Sequence, residues 1–129
     1  MKNLLKVWNP LEITPESMIV ESIQDDYEGF RIILTDYNKR GQYLKIGFDQ
    51  YFFYRNTDES YMINYGNAID KEILKKTFFI VENSEYYDFF IKSIPEVYED
   101  MDVTHYPIYS LADCIDILAE KPPVVSWLN

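Results

Sequence analysis

Between residues 18 and 48 three β-rich runs are separated by two turn signals, and this punctuation constrains the fold more than any other feature of the chain. Residues 18 to 23 mix apolar and polar positions as a strand does, and the acidic Asp25-Asp26-Tyr27-Glu28-Gly29 then turns the chain. Phe30 to Leu34 is almost continuously apolar, which predicts a central strand buried on both faces. Asn38-Lys39-Arg40-Gly41 is a second turn, because Asn and Gly tolerate positive φ, and Tyr43 to Phe48 resumes the alternation. The segment reads as a β-meander.

Further along, Tyr51 to Arg55 has strand propensity and is expected to form a hairpin with Tyr61-Met62-Ile63. Ala68, Ile69, Ile73 and Leu74 permit a short helix, and Thr77 to Val81 is another interior strand. A helix is predicted from Asn83 or Ser84 through Ile91. Glu85 and Asp88 complement its dipole, Tyr86, Phe89 and Phe90 share a face, and Pro95 stops it. Val103 to Tyr109 reads as a strand. Ser110 at an N-cap and Asp113 three residues on, followed by Leu111, Cys114, Ile115 and Leu118 at helical spacing, predict a last helix closed by Pro122-Pro123. The expected fold is therefore α+β: a mostly antiparallel sheet of five to six strands with two or three helices on one face.

With 129 residues, 47% of them apolar, the chain has the length for one hydrophobic core, and a single domain over 1–129 is expected. The formal charge is −10, from 12 Lys and Arg against 22 Asp and Glu, which makes phosphate backbones and anionic lipid poor partners. No window approaches the ~18 uninterrupted apolar residues of a membrane span. Cys114 is the one cysteine, so no internal disulfide forms and a reducing cytoplasm is favoured. Lys6 interrupts the early apolar run, so Met1 to Trp8 is not read as a signal peptide; Trp8 and Leu11 instead suggest an arm packed on the sheet.

No catalytic, cofactor or metal motif stands out, and none of the three is assigned. His105, the only histidine, reads as a half-buried strand residue with one hydrogen bond, and Cys114 as a small hydrophobe. Asp25-Asp26, Asp58-Glu59 and Asp100-Met101-Asp102 lack the spacing of a cation loop and read as solvated charge. The informative feature is placement: residues 82 to 120 hold ten acids and one base, Lys92, a net of −9. Tyr86, Tyr87, Tyr98, Tyr106 and Tyr109 fall in or beside this stretch. Aromatic anchors among steering carboxylates suit a binding surface for a basic protein, with Tyr87, Glu96, Tyr98, Glu99, Asp100 and Asp102 as the candidate contact residues.

Phe79-Ile80-Val81-Glu82-Asn83-Ser84, His105-Tyr106-Pro107-Ile108-Tyr109-Ser110, Asp113 to Leu118 and Tyr54 to Ser60 resemble short bacterial cytoplasmic proteins of poorly defined function, immunity-protein-like in their small acidic make-up. The resemblance implies association with a toxin and carries no catalytic residue to this chain. The leading expectation is a non-enzymatic acidic module that neutralises a basic toxin. An alternative is a small structural or regulatory protein that forms a homodimer through an exposed strand such as Tyr51 to Arg55. A third, an enzyme using His105 with Asp100 or Asp102, requires those groups to converge.

Overall fold

A computed structural model describes residues 3–12, 15–58, 76–95 and 101–128. They form β1 (Leu4–Val7), β2 (Met18–Asp26), β3 (Gly29–Asp36), β4 (Lys39–Phe48), β5 (Phe53–Asp58), β6 (Phe79–Glu82), α1 (Glu85–Ser93), β7 (Thr104–Tyr109), β8 (Asp113–Ala119) and β9 (Val124–Leu128). Two antiparallel sheets result, in the orders β1-β6-β7-β8-β5 and β2-β3-β4-β9. Phe30, Ile32, Leu34, Leu44, Ile46 and Phe48 of the smaller sheet interleave with Phe78, Tyr106, Ile108, Ile115 and Ile117 of the larger one to form the main core. The outer face of the larger sheet carries α1, through Tyr86 and Phe90 against Leu118.

The expected helix-rich α+β fold is thus overturned: among the described residues there are nine strands and one helix. The decisive difference is β8. Ser110 and Asp113 do bond to one another, but as a hairpin turn: the Asp113 amide donates to Ser110 Oγ at 2.9 Å, and the Ser110 amide donates back to the Asp113 carbonyl at 2.9 Å. Residues 114 to 119 are then buried without interruption, between the core on one face and the outer clusters on the other. A strand covered on both faces has no polar alternation, so its apolar run mimics helical spacing, and the β-branched Ile115 and Ile117 favour the strand. Beyond Pro123, β9 pairs with β4, a strand absent from the sequence reading.

The meander of β2, β3 and β4 is present, with strand pairs closing at Asp26↔Gly29 and Asp36↔Lys39. β3 is interior in its sheet, yet Arg31 and Ile33 are only half-buried, because this sheet is packed on one face. Strand β5 starts two residues later than expected. Its expected hairpin partner, Tyr61-Met62-Ile63, and the short helix near Ile69 lie outside the described residues. Helix α1 has its predicted cap: Ser84 Oγ accepts from the Tyr87 amide at 2.9 Å. Phe89, expected on the buried face, is 60% exposed. The N-terminal arm enters the larger sheet as β1, and Trp8 packs its indole on Phe78 and Tyr106 with centroids 6.0 and 5.8 Å away. No helix among the described residues is long and apolar enough to cross a membrane.

Candidate functional site

Strand register assembles a dense polar group on the outer face of the larger sheet. In antiparallel pairs, directly opposed residues point to one side. His105 stands opposite Leu118, while Asp116 stands opposite both Pro107 and Arg55, so imidazole, carboxylate and guanidinium converge beneath the start of α1. His105 Nε2 lies 2.6 Å from Asp116 Oδ1, and Arg55 Nε donates to Asp116 Oδ2 at 3.0 Å. Ser84 Oγ lies 2.7 Å from His105 Nδ1. The side chains of His105 and Asp116 are 1% and 0% exposed, whereas Arg55 is 46% exposed and lays its guanidinium over the Tyr86 ring at 4.2 Å.

The hydrogen bonds of this group close with a neutral imidazole. Ser84 Oγ already accepts the Tyr87 amide, so its hydroxyl proton is free to donate to His105 Nδ1, and Nε2–H then donates to Asp116. This neutral imidazole tautomer satisfies every group, and the Asp116 carboxylate is balanced by Arg55. Cys114 Sγ sits 4.0 Å from Asp116 Oδ2. Burial, and next the Asp116 charge, push its thiol well above the usual range, so it stays protonated. Burial likewise pushes the Tyr86 phenol up to about 12, against a smaller opposing pull from Arg55.

The trio names match those of a hydrolytic triad, but the connectivity differs. Here the hydroxyl meets Nδ1 and the carboxylate Nε2, the reverse of the usual arrangement, and the hydroxyl is also a helix cap. Ser84 is 6% exposed and lines none of the described surface depressions. The geometry therefore locks α1 onto the sheet. Sequence reasoning placed His105 on a strand and missed its partners, Ser84 at the cap of α1 and Asp116 on β8, together with Arg55 of β5 behind Asp116. It also expected half-burial where the residue is 2% exposed. Both ring nitrogens are taken by Ser84 and Asp116, so Asp102, which is exposed, is not its partner; Asp100 lies outside the described residues.

Two described acids of the stretch, Asp116 and Glu82, are each matched by a base. Asp116 is buried under Arg55, Glu82 pairs with Lys6 at 2.9 Å, and Asp113 closes a turn. Asp113 and Glu120 flank opposite ends of β8, roughly 23 Å apart at ~3.3 Å per residue. Tyr86, Tyr106 and Tyr109 are buried and Tyr87 is half-buried against the α1 cluster. Glu96, Tyr98 and Glu99 lie outside the described residues.

A different acidic surface emerges at the β2–β3 hairpin. Tyr27 and Glu28 form a two-residue turn with negative φ, and the positive φ falls on Gly29, at 111°. This leaves Tyr27 95% exposed, between Asp25, Asp26 and Glu28. The tip is held firmly. Arg31 Nη1 and Nη2 donate to the two Asp26 oxygens at 2.8 and 3.0 Å, and the Glu28 amide donates to Asp26 Oδ1 at 2.9 Å. The Arg31 bond first, then that amide, holds the Asp26 carboxyl down to about 2. Tyr51 donates its hydroxyl to Asp25, and chiefly this bond pushes its phenol up to about 12.

From Tyr51 the aromatic surface continues. Tyr51 and Tyr54 stack on Phe30 with centroids 4.8 and 4.6 Å away, and on the helix side Phe53 meets the exposed Phe89 at 6.3 Å. Residues 51–55, Tyr86 and Phe89 together line a shallow depression of about 560 Å³. The signal for this ridge was in the sequence: a tyrosine set among acids in a turn must be exposed. No three or more His, Cys, Asp or Glu side chains among the described residues gather as metal ligands. No family model matches the chain, and neither the curated proteins nor the solved structures hold a significant match.

Proposed function

We propose that the protein is a non-enzymatic binding module that engages a basic protein, acting in the cytoplasm as an immunity protein that neutralises a basic toxin. The observation that carries this reading is Tyr27: an almost fully exposed aromatic ring, fixed at the end of a braced hairpin and surrounded by carboxylates. A tyrosine carried on a braced backbone gives contact area at low entropic cost, and acids around it steer a basic cleft toward it. Arg31 is paired with Asp26, which leaves the charges of Asp25 and Glu28 to give the ground beside Tyr27 its acidic character. The aromatic depression beside Tyr51 and Phe89 extends the contact.

The test is co-expression with the product of an adjacent coding region that ends in a basic domain, with binding measured by calorimetry. Tyr27→Ala is expected to weaken binding at least about tenfold while leaving the melting temperature unchanged. Raising salt from about 0.05 to about 0.5 M is expected to weaken it further, mostly through a slower association rate. Binding indifferent to both the substitution and salt refutes the reading.

A further inference from the structure

Among the described residues the sheets end at four edge strands, β1 and β5, and β2 and β9. Edges of this kind are normally guarded by charge, bulges or brevity, because unpaired backbone groups recruit other strands. Three of these edges are guarded. β1 is four residues long and carries Lys6; β5 carries Arg55 and Asp58. β2 carries Glu21, Asp25 and Asp26, and a register shift interrupts it between Val20 and Ser22. β9, Val-Val-Ser-Trp-Leu, has no charge and no proline, and its ladder with β4 runs without a shift. Val124 is 72% exposed, Leu128 44% and Trp127 42%.

We propose that β9 pairs antiparallel with β9 of a second copy of this chain, about a two-fold axis at Ser126, so that two four-stranded sheets become one of eight. The strand is self-complementary. Val124 of one copy falls opposite Leu128 of the other, on the sheet face where these residues already stand beside Gly47 and Tyr43, and Ser126 meets its own equivalent. Charge favours this edge locally. Copies carrying −10 repel, and β4 beside β9 supplies Lys39, Arg40 and Lys45 and no acid, which offsets part of that repulsion and the nearby Asp49 and Glu120. The acidic hairpin at Tyr27 springs from β2 and β3, and β2 is the opposite edge of the same sheet, so the pairing leaves that hairpin outside the interface. The proposal is independent of the toxin-binding reading.

Sedimentation velocity from roughly 10 µM to roughly 1 mM reads the association. A monomer–dimer equilibrium is expected, strengthened when salt screens the repulsion, the opposite of the salt response expected for a basic partner. Val124→Lys with Leu128→Lys puts like charges across the pair and is expected to weaken dimerisation at least about tenfold. Val124→Lys with Leu128→Glu puts opposite charges across it and is expected to restore the dimer. Both positions are exposed, and circular dichroism checks that the fold is retained. A chain monomeric throughout, a dimer indifferent to the double Lys change, a charge-reversed pair that fails to recover, or growth beyond two copies each overturns the two-fold pairing.

Discussion

Replacing Asp116 by Asn tests whether the buried relay holds α1 to the sheet. The change is isosteric, so no cavity opens and the effect is electrostatic. The bond from His105 Nε2–H survives as a neutral one; losing its charge assistance costs about 1 kcal/mol. The Arg55 Nε then faces an amide that either donates or is already accepting from His105. Because the guanidinium is nearly half exposed it turns to solvent cheaply, for a further loss of about 1 kcal/mol. Asp116→Asn is therefore expected to cost about 2 kcal/mol. Arg55→Met is expected to cost about 2 to 3 kcal/mol, because it strands a carboxylate that is 0% exposed. The double variant carries no unbalanced charge and is expected to lose no more than the worse single one, a coupling of about 2 kcal/mol.

Urea denaturation followed by circular dichroism reads all three values. With a slope of ~1.5 kcal/mol/M, Asp116→Asn moves the midpoint down by roughly 1.3 M with the slope unchanged. Single-variant losses that simply add, to within about 0.5 kcal/mol, would refute the coupled-pair account. So would an Asp116→Asn protein as stable as the parent.

Two further outcomes follow from the same site and its surroundings. Ser84→Ala removes both the cap on Tyr87 and the partner of His105 Nδ1, and is expected to cost about 2 kcal/mol in the same denaturation assay; Ser84→Thr keeps a hydroxyl and should recover at least half. Alkaline titration should reveal Tyr86 and Tyr51 as late phenols, both raised from 10.0 to about 12. A raised folded value means that the unfolded chain loses these protons first, so their contribution to stability is whole below pH 10 and falls as pH climbs toward 12. If phenolate absorbance rises in one step near 10 with the fold intact, this assignment fails.

What the sequence disclosed followed local chemistry. Turn residues located the β2–β3–β4 meander, and Ser84 with its following acids located α1, since caps and turns are decided by neighbours within a few positions. β8 was misread because Cys114, Ile115 and Leu118 satisfy helical spacing within a run that is buried on both faces, where the two periodicities cannot be separated. The relay was out of reach for a different reason. Arg55, Ser84, His105 and Asp116 sit on four elements, and only strand register, a non-local property, brings them within bonding distance. Charge counted along the chain does not report position. Within residues 82 to 120 Asp116 is interior and Glu82 is paired, while the acids of the β2–β3 turn flank an exposed ring, and neither fact is visible in a running count.

The pairing of β4 with β9 sets an order of events for the growing polypeptide. β2, β3 and β4 close on one another through adjacent hairpins as soon as they are made, but β4 waits for a strand that is synthesised after every other element described. During that interval β4 is itself a temporary sheet edge, with Leu44, Ile46 and Phe48 lacking the opposing layer. Lys39, Arg40 and Lys45 lie on that strand, and charge of this kind on an open edge discourages premature strand exchange.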